Sequence, residues 1–132
     1  MRIITCTILI LLNFSCMSDT TIYEYADGNG NVYILTSSSL EYVPVKKEKS
    51  SSGSYSGGSP KKITITSTQY KSIKDLLDAA LENTSIHIKD RVMMSGVVRI
   101  SGSQANQSCI IKPGSEELSR IEKVLKITLE GK

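Results

Sequence analysis

Ile22-Tyr23-Glu24-Tyr25-Ala26-Asp27-Gly28-Asn29-Gly30-Asn31-Val32-Tyr33-Ile34-Leu35 is the stretch that decides the fold. Aromatic and β-branched residues favour extended backbone, and here they stand on both sides of a Gly/Asn cluster that tolerates positive φ. That pattern specifies a β-hairpin. A third strand, Leu40 to Val45, follows the serine turn Ser37–Ser39, and Pro44 places it at a sheet edge or at its own end. Residues 46–61 change character, with six serines and three glycines in sixteen residues, and read as a flexible Ser/Gly-rich loop. Tyr55 stands alone in that loop and reads as an isolated solvated aromatic, with a contact residue as the alternative.

Beyond the loop, Lys62-Ile63-Thr64-Ile65-Thr66 alternates with period two and predicts a strand. Ser67 or Thr68 can cap a helix from Gln69 to Glu82. Tyr70, Ile73, Leu76, Leu77, Ala80 and Leu81 form its apolar stripe, with Lys71, Lys74, Asp75 and Asp78 on the wet face. Ile86 to Lys89 and Val92 to Ile100 read as strands, Ser101 to Gln107 as a polar loop, and Cys109-Ile110-Ile111 as the last strand. Ser115 is the expected N-cap of a closing helix, 116–130, which turns Leu118, Ile121, Val124, Leu125 and Leu129 inward and ends at Gly131. The order β-β-β, loop, β-α-β-β-β-α predicts an α+β fold: a small antiparallel sheet with two helices packed on one face.

The N-terminus has a different logic. Arg2 precedes the apolar run Ile3 to Leu12, and Asn13-Phe14-Ser15-Cys16 follows. A charged start, a short apolar core and a small residue before the cut are the layout of an export signal, and ten apolar residues are too few to span a bilayer. The competing reading makes this run a buried element of the fold. The small-residue-then-cysteine ending resembles the lipobox of bacterial lipoproteins over residues 1–16, with Asn13 and Phe14 as departures from the usual pattern. The resemblance implies that Cys16 becomes the first mature residue and carries diacylglycerol on its sulfur, with the new α-amine open to acylation. Plain secretion, with cleavage near Ser15 or Cys16, is the alternative. The chain divides accordingly into a signal peptide (1–15), a tether (16–21) and one domain (22–132).

Removing residues 1–15 leaves 117 residues of formal charge +2, too weak and too interspersed a balance to predict nucleic-acid binding. Of three cysteines, Cys6 departs with the signal and Cys16 lies at the cut, so the domain holds Cys109 alone and no disulfide framework. If Cys16 escapes lipidation, it can pair with Cys109. Otherwise the apolar surroundings of Cys109 predict a buried, inert thiol.

No candidate for chemistry forms a complete set. Asp27, Asn29 and Asn31 match positions one, three and five of an EF-hand loop, but Val32 replaces the turn glycine and Ser38 the closing glutamate. Gly28-Asn29-Gly30 lacks the third glycine of a dinucleotide cradle, since residue 33 is Tyr33. Ser59-Pro60-Lys61-Lys62 has the Ser-x-x-Lys spacing of penicillin-recognising enzymes without their helix start or partner motifs. His87 is the sole imidazole and is expected to face solvent. Asn83-Thr84-Ser85 and Asn106-Gln107-Ser108 are glycosylation sequons by pattern. No cofactor or metal is expected.

The resulting expectation is a lipid-anchored protein of the bacterial cell envelope, held to the membrane through Cys16, whose domain binds a protein partner and does no chemistry. An envelope inhibitor or immunity-type protein is one variant. A small exported hydrolase is a rival, its site assembled only in three dimensions. A structural role, cued by an exposed edge at Leu40 to Val45, is another.

Overall fold

In β1 (Ile22–Ala26), Tyr23 and Tyr25 turn to one face and Glu24 to the other, as the two-residue period of a strand requires. The computed structural model describes residues 20–102 and 106–131. Six further strands follow β1: β2 (Val32–Leu35), β3 (Ser39–Val43), β4 (Lys61–Thr64), β5 (His87–Ile88), β6 (Gly96–Ser101) and β7 (Gln107–Ile111). They form one antiparallel sheet in the order β4-β3-β2-β1-β6-β7-β5, and α1 (Ser67–Glu82) and α2 (Glu116–Glu130) lie against it and against each other. The expected α+β fold is therefore present.

The core lies between the helices and one face of the sheet. Tyr23, Leu35, Leu40, Val98, Cys109 and Ile111 from the strands meet Ile73, Leu77 and Ala80 from α1 and Leu118, Ile121 and Leu125 from α2. Each fully buried Leu or Ile contributes about 1.5–3 kcal/mol of transfer free energy. A continuous cross-strand row, Val98-Tyr25-Tyr33-Tyr42-Lys61, runs across this face. Its ring centroids are 5.9 Å apart for Tyr25–Tyr33 and 5.0 Å for Tyr33–Tyr42, within the tilted-aromatic range. Helix α2 crosses above this row: Tyr25 Oη donates to Glu122 Oε1 at 2.8 Å near one end, and Lys61 Nζ donates to the Leu129 carbonyl near the other.

Helix α1 joins the two edges of the sheet, leaving β4 at one and delivering the chain to β5 at the other. Its 16 residues span about 24 Å, close to the roughly 29 Å covered by six inter-strand gaps. Thr66 caps it through a reciprocal box with Gln69, one residue before the expected Ser67 and two before Thr68. Ser115 caps α2 by accepting from Leu118 N, Glu116 and Glu117 sit in the first turn, and Gly131 closes the helix at φ 69°.

The opposite face of the sheet carries a second row, Lys62-Glu41-Ile34-Glu24-Arg99, in which Arg99 pairs with Glu24 at 2.7 Å and Lys62 with Glu41 at 3.6 Å. Exposed pairs of this kind contribute at most about 1 kcal/mol each.

Four expectations are corrected. The exposed edge cued at Leu40 to Val45 is absent, because β3 is interior, between β2 and β4, and Pro44 takes the other of its two expected places, at the end of the strand; the edges are β4 and β5, guarded by the lysines of β4 and the two-residue length of β5. The run Val92 to Ile100 is not one strand, because residues 92–95 form a turn and β6 starts at Gly96. Ile86 belongs to a 3₁₀ turn (Thr84–Ile86), which turns His87 toward the helices: its Nε2 lies 2.7 Å from the Ala80 carbonyl. Lys74 and Asp78 are half-buried, because Tyr23 reaches up to them.

Gly96 lies where a Cβ would press into Leu118 Cδ1 and the Tyr25 ring. Gly96→Ala is expected to lower unfolding free energy by about 1–3 kcal/mol through overpacking, read by urea denaturation. An unchanged midpoint would contradict this close packing of α2 on β6.

Candidate functional site

Three segments converge where β1 turns into β2: the hairpin turn 27–31, the loop 44–60 and the turn 89–95. Asn31, only 3% exposed, organises the first two. Its Nδ2 donates to Asp27 Oδ2 at 2.8 Å and to Tyr55 Oη at 3.0 Å, while its Oδ1 accepts from Val45 N at 3.0 Å. Asp27 Oδ1 accepts from the backbone N–H groups of Asn29 and Asn31, both at 2.9 Å. Gly57 N then donates to the Val45 carbonyl at 3.1 Å, and Tyr42 Oη to the Gly57 carbonyl at 2.7 Å. A Cβ on Gly57 would collide with Asn31 Oδ1. The Asp/Asn residues of the EF-hand-like pattern thus bond to one another and to their own turn, and Tyr55 is tied down instead of standing free in solvent.

The third segment is built against this turn. Arg91 donates to the Asp27 carbonyl at 2.8 Å. Ser95, wholly buried, donates to the Val92 carbonyl through both its backbone N–H (3.1 Å) and its hydroxyl (2.6 Å). Met94 takes φ 64°, a left-handed conformation that costs a non-glycine residue about 1–2 kcal/mol. A Cβ on Gly28 would lie 2.6 Å from Met94 Cα, so that position needs glycine. The product is an outward display of Val92, Met93 and Met94, which are 51%, 86% and 57% exposed. Beside them lies a cleft of about 260 Å³ lined by Gly28, Asn29, Ser50, Ser51, Ser52, Tyr55 and both methionines.

The interior polar groups form braces. Tyr23 Oη donates to Asp78 Oδ1 at 2.8 Å, Lys74 Nζ donates to Asp78 Oδ2 at 2.6 Å, and the Lys74 ammonium stands 5.9 Å from the Tyr23 ring centre. Burial, reinforced by Asp78, pushes the Tyr23 phenol up to about 12. Burial pushes Tyr33 up to about 12 as well, with the charge of Asp27 adding to it, and raises Tyr25 further. The hydrogen bond to Asp78 holds Lys74 above the usual lysine range, and burial raises the Cys109 thiol. Each of these groups is shifted away from neutrality, so none is an activated nucleophile or base at pH 7.

Cys16 lies outside the described residues. Cys109 is buried, as its sequence context implies. Ser59 stays in the loop, while Lys61 and Lys62 open β4, so the Ser-x-x-Lys pattern sits on no helix start. Asn83 caps the 3₁₀ turn, and its Nδ2 donates to Glu117 Oε1 at 3.0 Å. Among the described residues no group of three metal-ligating side chains comes together, and no helix is long and apolar enough to cross a membrane. The methionine turn was not legible as a surface. Its one signal is that Met93-Met94 breaks period-two alternation just before Ser95-Gly96. No protein-family model, characterised protein or solved structure matches the chain.

Asn31→Asp removes both amide donors and sets a second carboxylate beside Asp27. It is expected to cost about 1–3 kcal/mol and to speed proteolysis within 46–60, both measured at pH 7. Tyr23 and Tyr33 carry the same proton in both states below pH 10.0, their ordinary value, and stay protonated when folded until about 12. Stability is therefore full below pH 10.0 and is lost as pH rises toward about 12. Denaturation midpoints across that window should fall, and less steeply in Tyr23→Phe.

Proposed function

We propose that this chain is an exported protein of the bacterial cell envelope, anchored to a membrane by lipid on Cys16, whose domain is a binding module and not an enzyme. The observation that carries this reading is the polarity of the sheet. β1 begins at Ile22, six residues past Cys16, and runs away from that end into the turn that supports the methionine display. Its five residues set the two ends about 17 Å apart. The six Cα–Cα steps from Cys16 to Ile22 reach at most about 22 Å, which keeps the Ile22 end within that distance of the bilayer and leaves the display, at the other end of β1, free to stand away from it.

Intact mass of the mature protein extracted in detergent tests the anchor. The expected product starts at Cys16 and carries a diacylglyceryl adduct, which Cys16→Ser abolishes. A lipid-free cut near residue 16 selects secretion instead, and a cytosolic chain still starting at Met1 removes export altogether.

A further inference from the structure

We propose that the turn 91–95 is a plug for a partner protein: Met93, flanked by Val92 and Met94, enters an apolar pocket whose rim carries carboxylates. The inference deepens the binding-module reading above and rests on it for the partner's existence, but not on the lipid.

The fold works against its own solvation here. Three consecutive large apolar side chains are held outward, the central one 86% exposed. A left-handed Met94, a glycine at 28 and a fully buried Ser95 fix the backbone that holds them. Strain kept by a surrounding network of this kind marks sites whose geometry is used. Methionine suits the task, because an unbranched, polarisable side chain fills an irregular pocket at little steric cost.

Charge and polarity choose the occupant. Exposed Lys89 and Arg91 stand in the displaying turn itself and exposed Lys49 directly precedes the serines of the cleft, against Asp90 and Glu48, while the Asp27 carboxylate is taken up by its turn. A cationic frame around an apolar projection is complementary to an acidic rim around an apolar pocket. The cleft beside Met93 is lined by three serines, Asn29 and the Tyr55 ring; Ser50 and Ser52 bond within the loop and Tyr55 to Asn31, and the remaining hydrogen-bonding capacity of these polar groups needs partners. Hydrocarbon offers none, and polar groups left unsatisfied there are costly. A protein surface supplies both the pocket and the polar rim.

The test uses the full chain in its own cells, with a photo-reactive benzoylphenylalanine at position 93 and, as control, at exposed Ile127 on α2. The expected result is one protein adduct from position 93 and none from 127. Peptide mapping should place the crosslink in an apolar pocket bordered by Asp or Glu. Unlabelled chain should compete the adduct away, and Met93→Asp, which alters an exposed side chain, should need at least about tenfold more. Lys49→Glu combined with Lys89→Glu should weaken competition in the same direction. A phospholipid adduct, an adduct with a second copy of this chain, no adduct, or undiminished competition by Met93→Asp each overturns the plug. A position-93 protein adduct meeting these criteria, from a chain whose mass shows no lipid, leaves the plug standing and removes the anchor, so the two failures are read separately.

Discussion

The buried amide of Asn31 is the constraint on which the rest of this end of the molecule depends. A primary amide offers two N–H groups and one carbonyl oxygen, and here all three are engaged. Its orientation is fixed by chemistry: Val45 N–H can only donate, so the oxygen must face it. Through that one side chain the hairpin turn, the exit of β3 and the returning serine loop share a single geometry. The same turn presents the Asp27 carbonyl to Arg91 and the Gly28 backbone to Met94, so the displayed methionines stand on the same network. Low local polarity strengthens such bonds when all are made and penalises any that is lost.

The sheet has a different dependence. Its central strand, β1, pairs with β2 across a tight turn and with β6 across most of the chain; the Glu24–Arg99 pair is separated by 75 positions. The local hairpin costs little loop entropy, whereas the second pairing waits until α1 has carried the chain from one edge to the other. Helix α1 thus determines topology as well as burial. The tyrosine row beneath α2 supplies bulk that a chain with a single phenylalanine and no tryptophan must find elsewhere, and its hydroxyls reach polar partners at the helix margin and in the loop.

Local chemistry was legible in the residues, and long-range polar chemistry was not. The 22–35 hairpin, both helices, the cap at Ser115 and the αL glycine at 131 follow from turn residues, spacing and caps within one window of sequence. The parity of His87 did not, because a 3₁₀ turn at Ile86 shifts the alternation on which it was counted. Lys74 and Asp78 looked solvated, since nothing within α1 announces that Tyr23 hydrogen-bonds to Asp78 from another element. Val92-Met93-Met94 carries the composition of a buried strand, and an apolar run alone does not say whether its neighbours cover it. The Asn31–Tyr55 bond joins two polar residues 24 positions apart with no pattern linking them.

The place where the N-terminal segment enters the sheet has a mechanical consequence. A tether that joined an edge strand would let tension peel the domain open one hydrogen bond at a time. Here the segment continues into β1, which is laddered on both flanks by antiparallel neighbours. Tension along the strand axis therefore loads both ladders together in shear, and rupture requires them to fail at once. A domain pulled from this end therefore resists opening better than one pulled from an edge strand.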